Sequence, residues 1–326
     1  MKIAFFSTQP YDRHYFEACP TQHELIFFEA MLQEQTVNLA KGCSAVCVFV
    51  NDRLNATVIQ ALAALGVKLV ALRCAGYNNV DVTAATKHGI RVVRVPAYSP
   101  HAVAEHALAL IMTLNRKTHK AYNRVRDGNF SLHRLTGFDL YKKTVGVIGT
   151  GQIGACFANI MLGLGCKVLA YDVKTDASLE RAGVQYVTMN ALLSQSDIVS
   201  LHCPLVKETT HLINDQSLRQ MKRGAMLINT SRGGLVNTHN VIQALKTGQL
   251  GYVGIDVYEQ EAKLFFHDLS ENIIDDEIIL RLMSFPNVLI TSHQGFLTDE
   301  ALTQIAAVTL KNIDDFENGL PLHNGV

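Results

Sequence analysis

Short runs of apolar and β-branched residues recur along the chain, and segments with helical spacing separate them. The first hundred residues contain five such runs, which predict strands: IAFFST (3–8), LIFFEA (25–30), AVCVFV (45–50), LVALRC (69–74) and RVVRVP (91–96). Between the third and fourth runs, ATVIQALAALG has apolar residues at three- and four-residue spacing and ends at Gly66, which indicates a helix. Continuous apolar strands separated by helices are typical of a parallel sheet covered on both faces.

A second series of apolar runs begins at residue 144. It predicts six further strands: TVGVIG (144–149), KVLAYD (167–172), DIVSLH (197–202), AMLINT (225–230), YVGIDV (252–257) and NVLITS (287–292). The series therefore predicts a second, larger, doubly wound parallel sheet.

Two long helical patterns lie outside these strands. The segment AVAEHALALIMTLNRKTHKAYNRV predicts one long helix that begins near His101, and Pro100 suits its first turn. The C-terminal segment DEALTQIAAVTLKNIDDFENG predicts an amphipathic helix. Because this helix follows the last strand of the second series, we expect it to cross back to the first domain.

Length and composition fit a two-domain globular protein. The chain has 326 residues, which is long for one hydrophobic core. Hydrophobic residues make up 48% of it and charged residues 18%, the balance of an ordered protein rather than a disordered one. The 29 basic residues cancel the 29 acidic ones, so charge gives no reason to expect a nucleic-acid or membrane partner.

The cysteines and the N-terminus bear on the cellular compartment. The seven cysteines are odd in number and lie mostly in apolar runs, so we expect reduced, buried thiols rather than disulfides. No Cys or His cluster has the spacing of a zinc site, and we expect no metal. The run MKIAFFSTQP reaches polar residues too soon for a signal peptide, and no apolar run is long enough to cross a bilayer. The expected location is the cytoplasm.

A glycine-rich motif follows the first strand of the second series. The pattern GxGxxG is formed by Gly149, Thr150, Gly151, Gln152, Ile153 and Gly154. The motif opens the helical segment IGACFANIMLGLG, and the next strand ends at Asp172. Strand, glycine turn, helix and a following acidic residue together predict a dinucleotide-binding unit, whereas the glycine pattern alone is weak.

Each part of this motif has a physical purpose. Gly149 allows the tight turn, Gly151 lets the backbone approach a pyrophosphate, and Gly154 lets the helix pack close to the strand. The helix N-terminus offers free N–H groups and its positive dipole end to the phosphates. Asp172 is expected to accept hydrogen bonds from the ribose hydroxyls and to repel a 2′-phosphate, so the predicted cofactor is NAD rather than NADP.

Three polar residues stand at or just beyond the ends of successive predicted strands: Arg232, Glu261 and His293. In open α/β sheets, ligands bind at the carboxyl ends of the strands, so the three side chains are expected to face one crevice. An arginine binds a carboxylate with two hydrogen bonds, and an imidazole donates or accepts a proton near neutral pH. A neighbouring carboxylate stabilises the protonated ring and fixes its orientation. This set suits reduction of a 2-keto acid.

Several longer segments carry a resemblance to a known family. They are VIGTGQIG, NTSRGGLV, GIDVYEQE and NVLITSHQGF in the second half, with LRCAGYNNVD and VPAYSPHAVAEHA in the first. Together they span nearly the whole chain, which resembles the D-2-hydroxyacid dehydrogenase family. The segment FFHDLSENIIDDEIILRLMSFPNV, between Glu261 and His293, is similar to the connection found in the fermentative D-lactate dehydrogenase branch.

The resemblance implies roles for individual residues. It makes Arg232 the substrate-binding arginine, Glu261 the carboxylate partner and His293 the acid/base. Beyond the glycine motif and Asp172, it implies cofactor contacts for Cys203, Pro204, Thr230, Ser231 and Asp256. It implies that Ala75 and Gly76 contact the substrate through their backbone N–H groups. It also implies substrate contacts for Tyr98 and Phe296.

The resemblance also implies an architecture and an activity. The fold class is α/β, with a Rossmann NAD domain (100–295) inserted into a flavodoxin-like substrate domain (1–99 and 296–326). The activity is the NADH-dependent reduction of pyruvate to D-lactate by a homodimer or homotetramer. One alternative is a larger 2-keto acid substrate, decided by the pocket residues Phe49, Val50, Tyr77, Tyr98 and Phe296. A second alternative, from a different class, is a non-catalytic NAD-sensing binding protein.

Overall fold

The computed structural model of the chain describes residues 1–326, apart from the side chain of Lys263. The chain forms two compact units. Unit one comprises Met1–Ser99 and Leu297–Val326, and unit two comprises Pro100–Phe296. Unit two is therefore inserted between the two segments of unit one.

Unit one is built around five parallel strands: β1 (Lys2–Phe5), β2 (Glu24–Phe27), β3 (Ala45–Val48), β4 (Leu69–Leu72) and β5 (Arg91–Arg94). Their order across the sheet is β2-β1-β3-β4-β5, which is the flavodoxin-like order. Three helices connect them: α1 (Pro10–Ala18), α2 (Ala56–Ala64) and α3 (Val82–Lys87). The Asn55 side chain caps α2 by accepting a hydrogen bond from the Val58 amide.

The helices of unit two are α4 (Pro100–Arg116), α5 (Thr118–Arg126), α6 (Gln152–Gly163), α7 (Ala177–Ala182), α8 (Met189–Gln195), α9 (Asp215–Gln220), α10 (Thr238–Thr247) and α11 (Glu277–Met283). Its seven parallel strands are β6 (Thr144–Ile148), β7 (Lys167–Tyr171), β8 (Gln185–Tyr186), β9 (Ile198–Leu201), β10 (Ala225–Asn229), β11 (Leu250–Ile255) and β12 (Val288–Ile290). The sheet order is β12-β11-β10-β9-β6-β7-β8, so the chain order reverses beside β6. This is the doubly wound arrangement of Rossmann domains, extended by one strand.

Both faces of the larger sheet are covered by apolar side chains. Along β10, Leu227 belongs to one buried cluster, whereas Met226 and Ile228 belong to the cluster on the opposite face. Because side chains alternate between faces along a strand, a strand buried on both sides needs an unbroken apolar run. This explains why the strands of this unit were readable as continuous hydrophobic segments.

The chain then returns to unit one with α12 (Asp299–Glu317), which packs against α1 and β4. The side chain of Thr298 caps this helix by accepting a hydrogen bond from the Ala301 amide. Among the described residues, no helix combines the length and the apolar composition needed to span a membrane.

The predicted α/β class with two doubly wound parallel sheets is confirmed. One local prediction was wrong, and one short strand was missed. The expected single helix from His101 divides at Lys117, whose left-handed φ of 52° separates α4 from α5. The two-residue strand β8 was not predicted, because it is too short to carry an alternating or continuous apolar pattern.

Parallel strands place all their carboxyl ends at one edge of a sheet. In unit two, this edge carries the turns that follow β6, β9, β10, β11 and β12. Every unit-two residue proposed from the sequence for chemistry or cofactor binding lies in or beside one of these turns or at the end of β7. The edge therefore forms the candidate site.

Candidate functional site

The glycine-rich turn after β6 is tightly packed on one side and open on the other. Gly149 has a φ of +91°, and a Cβ there would run into the backbone of His202 and Cys203. A Cβ on Gly154 would overlap the carbonyl oxygen of Gly149. At Gly151, by contrast, a Cβ would meet no atom of the described residues within 4 Å. The turn thus forms a cradle whose open side faces away from the protein atoms.

The first turn of α6 borders this cradle. Gly151 is its N-cap residue and has no side chain to accept from the free N–H groups of Gln152, Ile153 and Gly154. An uncapped helix N-terminus after a glycine turn suits a pyrophosphate. The residues present therefore fit a dinucleotide.

Asp172 closes the same turn from the end of β7. Its carboxylate accepts hydrogen bonds from the amide of Thr150, at 2.5 Å, and from the hydroxyl of Thr150, at 3.1 Å. Burial raises the pKa of this carboxyl, but the hydrogen bonds from Thr150 and the Lys174 amide outweigh burial and hold the pKa below its usual value. Asp172 is therefore ionised at neutral pH, and its charge would oppose a 2′-phosphate.

The turns after β9 and β10 are tied together. The hydroxyl of Ser231 donates to the carbonyl oxygen of Cys203 at 2.7 Å, and the side chain of Asn229 braces the turn by bonding Ser231 and Arg232. Within the described part of the chain, the buried hydroxyl of Thr230 has no hydrogen-bond partner. Buried polar atoms are nearly always paired, so this hydroxyl is suited to a bound ligand. The cofactor contact expected for Thr230 stays a prediction.

His202, between these turns and the glycine motif, is not a candidate acid. It is close to Phe157, with 4.8 Å between ring centroids, and its Nε2 lies 2.8 Å from the Ser200 hydroxyl. Burial lowers the pKa of His202 to about 3. The ring therefore stays neutral at physiological pH.

Arg232 follows β10 in extended backbone conformation and is partly buried. Its Nη1 donates to the carbonyl oxygen of Ser231 at 2.7 Å. The next residue, Gly233, packs so closely on the Tyr258–Glu259 backbone that a Cβ would overlap it. The loop that carries Arg232 is thus in direct contact with the segment that leads to Glu261.

Glu261 and His293 are brought into direct contact from two different loops. The Nδ1 atom of His293 lies 2.8 Å from Oε1 of Glu261. The second carboxylate oxygen, Oε2, accepts a hydrogen bond from the Tyr258 amide at 2.9 Å. Both side chains are partly buried, with 15% of His293 and 24% of Glu261 exposed. The arrangement leaves the Nε2 atom of His293 as the group available for proton transfer.

The neighbouring Glu259 has a different partner. Its carboxylate contacts His211 at 2.7 Å and also accepts hydrogen bonds from the amide and hydroxyl of Thr238. Glu259 lies only two residues before Glu261, so the sequence offers two neighbouring carboxylates here. The structure pairs each glutamate with its own histidine.

Asp256, predicted to contact the cofactor, has most of its hydrogen-bonding capacity engaged within the protein. Its carboxylate accepts hydrogen bonds from the amides of Gln294 and Gly295, at 2.9 and 2.8 Å, and from the Thr291 hydroxyl at 2.5 Å. Burial raises the pKa of Asp256, but bonds from His106 and Thr291 more than compensate and lower it. A contact with the cofactor stays a prediction.

His106, on α4, is not among the site residues expected from the sequence, but it lies beside this group. Its Nε2 is 3.2 Å from Oδ1 of Asp256 and 3.0 Å from Oγ1 of Thr291. No sequence signal marks it, because it is one of 13 histidines in the chain and lies on a helix far along the chain from His293.

Two of the residues proposed for the substrate, Ala75 and Gly76, lie in a braced loop that follows β4 in unit one. Among the described residues, the amides of Ala75 and Gly76 donate no hydrogen bond. Arg94 supports the loop, because its guanidinium donates to the Ala75 carbonyl at 2.7 Å and stacks on the Tyr77 ring. Free backbone N–H groups in a fixed loop are suited to an anion.

The remaining pocket candidates lie near the ends of other elements. Phe49 and Val50 follow β3, and Tyr98, which is partly buried, follows β5. In unit two, the buried Phe296 directly follows the loop that carries His293. Their contacts with substrate stay predictions.

Comparison with known proteins identifies similar chains of known family. Residues 108–295 match the family model described as D-isomer specific 2-hydroxyacid dehydrogenase, NAD binding domain. The chain is 54% identical to 2-hydroxyacid dehydrogenase A of Aspergillus oryzae, over 97% of this chain and 92% of the relative. It is 50% identical to D-lactate dehydrogenase of Escherichia coli, over 98% of both chains. The apo-structure of D-lactate dehydrogenase from Escherichia coli superposes with a TM-score of 0.92 at 48% identity and covers 100% of both chains.

The doubly wound fold, the glycine cradle and the His–Glu pair define an NAD-dependent dehydrogenase. The chain belongs to the D-isomer specific 2-hydroxyacid dehydrogenase family.

Proposed function

We propose that this enzyme is an NAD-dependent D-lactate dehydrogenase that reduces pyruvate. The observation that carries the proposal is the 2.8 Å pairing of His293 with Glu261 at the carboxyl edge of an NAD-binding sheet. Support for the substrate comes from relatives of about half identity that are named D-lactate dehydrogenases.

The proposed chemistry assigns one task to each of three side chains. Arg232 binds the carboxylate of the keto acid with its planar fork and polarises the carbonyl. The reduced nicotinamide, when bound, supplies the hydride for the carbonyl carbon. Protonated His293 gives its proton to the carbonyl oxygen, which becomes the hydroxyl of the product. Glu261 holds the ring in position and stabilises its charged form.

The binding residues are proposed to divide between the units. Unit two, close to 100–295, is the NAD-binding domain, and the segments 1–99 and 296–326 form the substrate domain. Cofactor contacts are assigned to Gly149, Gly151, Gln152, Ile153, Gly154, Asp172, Cys203, Pro204, Thr230, Ser231 and Asp256. The free amides of Ala75 and Gly76, with Tyr98 and Phe296, are assigned to the substrate.

A substrate panel followed by NADH absorbance tests the proposal. Purified enzyme is given pyruvate, 2-ketoisocaproate or phenylpyruvate, each with NADH and with NADPH, and the product is resolved on a chiral column. We expect the highest kcat/KM for pyruvate with NADH and a product that is D-lactate. A higher kcat/KM for 2-ketoisocaproate would instead assign a larger substrate. NADH binding without turnover of any keto acid would indicate a sensor.

The proposal extends to a homo-oligomer, a dimer or a tetramer. Large apolar side chains are exposed on α5 and in the segment after it, including Tyr122, Val125, Phe130 (76% exposed) and Leu132 (81% exposed). Contiguous exposed apolar side chains are typical of subunit interfaces. Sedimentation velocity of the enzyme, and of a Phe130→Ser and Leu132→Ser double variant, tests this, with dissociation expected for the variant. A wild-type chain that sediments as a monomer would contradict it.

We also propose a cytoplasmic location, which suits the seven free thiols. Cell fractionation with an antibody to the chain tests it, and recovery outside the cytoplasmic fraction would contradict it.

A further inference from the structure

The loop that carries His293 has little support from the sheet. It follows β12, a strand of three residues that pairs only with β11 at the edge of the sheet. His293 itself has a φ of +58°, in the left-handed region that non-glycine residues rarely adopt. Other contacts must therefore hold this conformation.

Asp256 supplies most of these contacts. Its side chain bonds Thr291, Gln294 and Gly295, and its carbonyl oxygen accepts a hydrogen bond from the His293 amide at 2.8 Å. The close fit extends to Gly295, where a Cβ would lie 3.0 Å from Oδ2 of Asp256. The loop is thus bound to the Asp256 carboxylate on both sides of His293, through the Thr291 hydroxyl before it and the Gln294 and Gly295 amides after it.

His106 links this carboxylate to the core of unit two. Because the Thr291 hydroxyl donates to Asp256, it is free to accept from Nε2 of His106, 3.0 Å away, while Oδ1 of Asp256 lies 3.2 Å from the same nitrogen. His106 is carried by α4, whose Ala107, Leu110 and Ile111 are buried. A side chain on a well-packed helix therefore reaches both the carboxylate and the first residue of the loop.

We propose that His106 is a positioning residue for the proton donor. It aligns Asp256 and Thr291, and these hold the loop so that His293 keeps its contact with Glu261. The inference rests on the proposed role of His293. A catalytic group that is displaced by about 1 Å loses on the order of a hundredfold in rate, so the effect is measurable.

Three variants test the proposal. His106→Leu removes the donor and keeps an apolar side chain, whereas His106→Gln restores an N–H donor at similar reach. Glu105→Gln is the matched control, because Glu105 is exposed on the same helix and has no part in the network. We expect His106→Leu to lower kcat by about tenfold to a hundredfold with little change in the KM for pyruvate and in NADH affinity. We expect His106→Gln to recover most of kcat.

A second measurement does not depend on turnover. In hydrogen–deuterium exchange, the peptide that contains Gln294 and Gly295 should exchange faster in His106→Leu than in wild type, because its amides lose their fixed acceptor. If His106→Leu fails to fold, Thr291→Val breaks the same link and is used in its place.

The outcomes separate this inference from the proposed function. Faster exchange with a lower kcat supports it, and unchanged exchange with unchanged kcat overturns it. Loss of NADH affinity in proportion to kcat also overturns it, since His106 would then act on the cofactor. If wild type does not reduce pyruvate, the proposed function fails, and the exchange result still decides whether His106 orders the loop.

Discussion

The carboxylate of Glu261 joins the imidazole of His293, at 2.8 Å, to the backbone amide of Tyr258, at 2.9 Å. One oxygen orients the proton donor, and the other fixes the carboxylate to its own loop. The position of the imidazole therefore depends on two loops, which follow neighbouring strands of the sheet.

Loss of the Glu261 charge should impair the acid and leave the cofactor site intact. We expect Glu261→Gln to lower kcat/KM for pyruvate by about tenfold to a hundredfold, because the amide no longer stabilises the protonated ring. The matched control is Glu259→Gln, which changes the carboxylate that pairs with His211. Steady-state kinetics of both variants check the prediction. Equal losses in the two would argue against a specific role for Glu261.

Substitutions at two glycines of the cofactor turn should affect different properties, protein stability at one and NADH binding at the other. We expect Gly154→Ala to lower the melting temperature, because the new Cβ overlaps the Gly149 carbonyl oxygen. Gly151→Ala should keep the melting temperature but weaken NADH binding, because its Cβ enters open space beside the helix N-terminus.

Gly163→Ala is the control for helix propensity, since it lies at the last position of α6 with open space around its Cβ. We expect it to lower neither the melting temperature nor the affinity for NADH. Differential scanning fluorimetry and fluorescence titration with NADH supply the two readouts. A Gly151→Ala variant with wild-type NADH affinity would contradict the assigned site.

Asp172 should set the choice between the two dinucleotides. Removing its charge in Asp172→Ala is expected to raise the ratio of kcat/KM with NADPH to that with NADH by at least about tenfold, a change of about 1.4 kcal/mol. Asp176→Ala, at the N-cap of α7, is the control. Kinetics with each cofactor check this, and an unchanged ratio would remove Asp172 from cofactor selection.

Asp256 should contribute stability that is lost in acid. Its folded pKa is lowered, so the ionised form stabilises the fold at every pH above the ordinary carboxyl pKa of about 4. The contribution disappears as the pH falls through the folded pKa. We therefore expect Asp256→Asn to be less stable than wild type at pH 7 and the difference to shrink below about pH 4.

Urea unfolding of both proteins at pH 7 and at pH 3 checks this prediction. Asp139→Asn, at an exposed position, serves as the control and should show little difference at either pH. A stability difference for Asp256→Asn that grows in acid would contradict the direction of the shift.

The buried ion pair in unit one should contribute far more to the free energy of unfolding than a surface ion pair nearby. Arg73 is fully buried, and its guanidinium bonds Asp12 at 3.1 and 3.2 Å and the Ser7 carbonyl at 2.8 Å. Arg73→Ala leaves the Asp12 carboxylate buried without its partner, which costs about 3–5 kcal/mol. The exposed pair of Arg13 and Glu17, at 3.8 Å, contributes little.

Chemical denaturation of Arg73→Ala and Arg13→Ala compares the two pairs directly. We expect Arg73→Ala to unfold at a much lower denaturant concentration than wild type. We expect Arg13→Ala to unfold at close to the wild-type concentration. Similar midpoints would show that the buried pair is replaceable by packing alone.

The sequence predicted the fold best where burial produces a pattern of residues that is local along the chain. Strands buried on both faces must be apolar throughout, so β3, β4 and β10 could be located within a residue or two. The glycine motif was equally readable, because its spacing reflects steric limits at Gly149 and Gly154. Both kinds of signal are local along the chain.

Features that depend on distant residues were not readable in this way. The break between α4 and α5 at Lys117 has no proline or glycine to mark it. The pairing of Glu261 with His293, and of Glu259 with His211, is decided by how loops pack in three dimensions. His106 joins the network from a residue 150 positions before Asp256, which no spacing rule identifies.

The position of β12 at the rim of the sheet has a consequence for how the enzyme responds to heat. A rim strand of three residues is held by one neighbour, so it should open at a lower free energy than the central strands β6 and β9. Warming would then release the proton donor while the core of the unit remains folded. Catalysis should consequently fade a few degrees before the protein melts, and recover on cooling as the strand closes again.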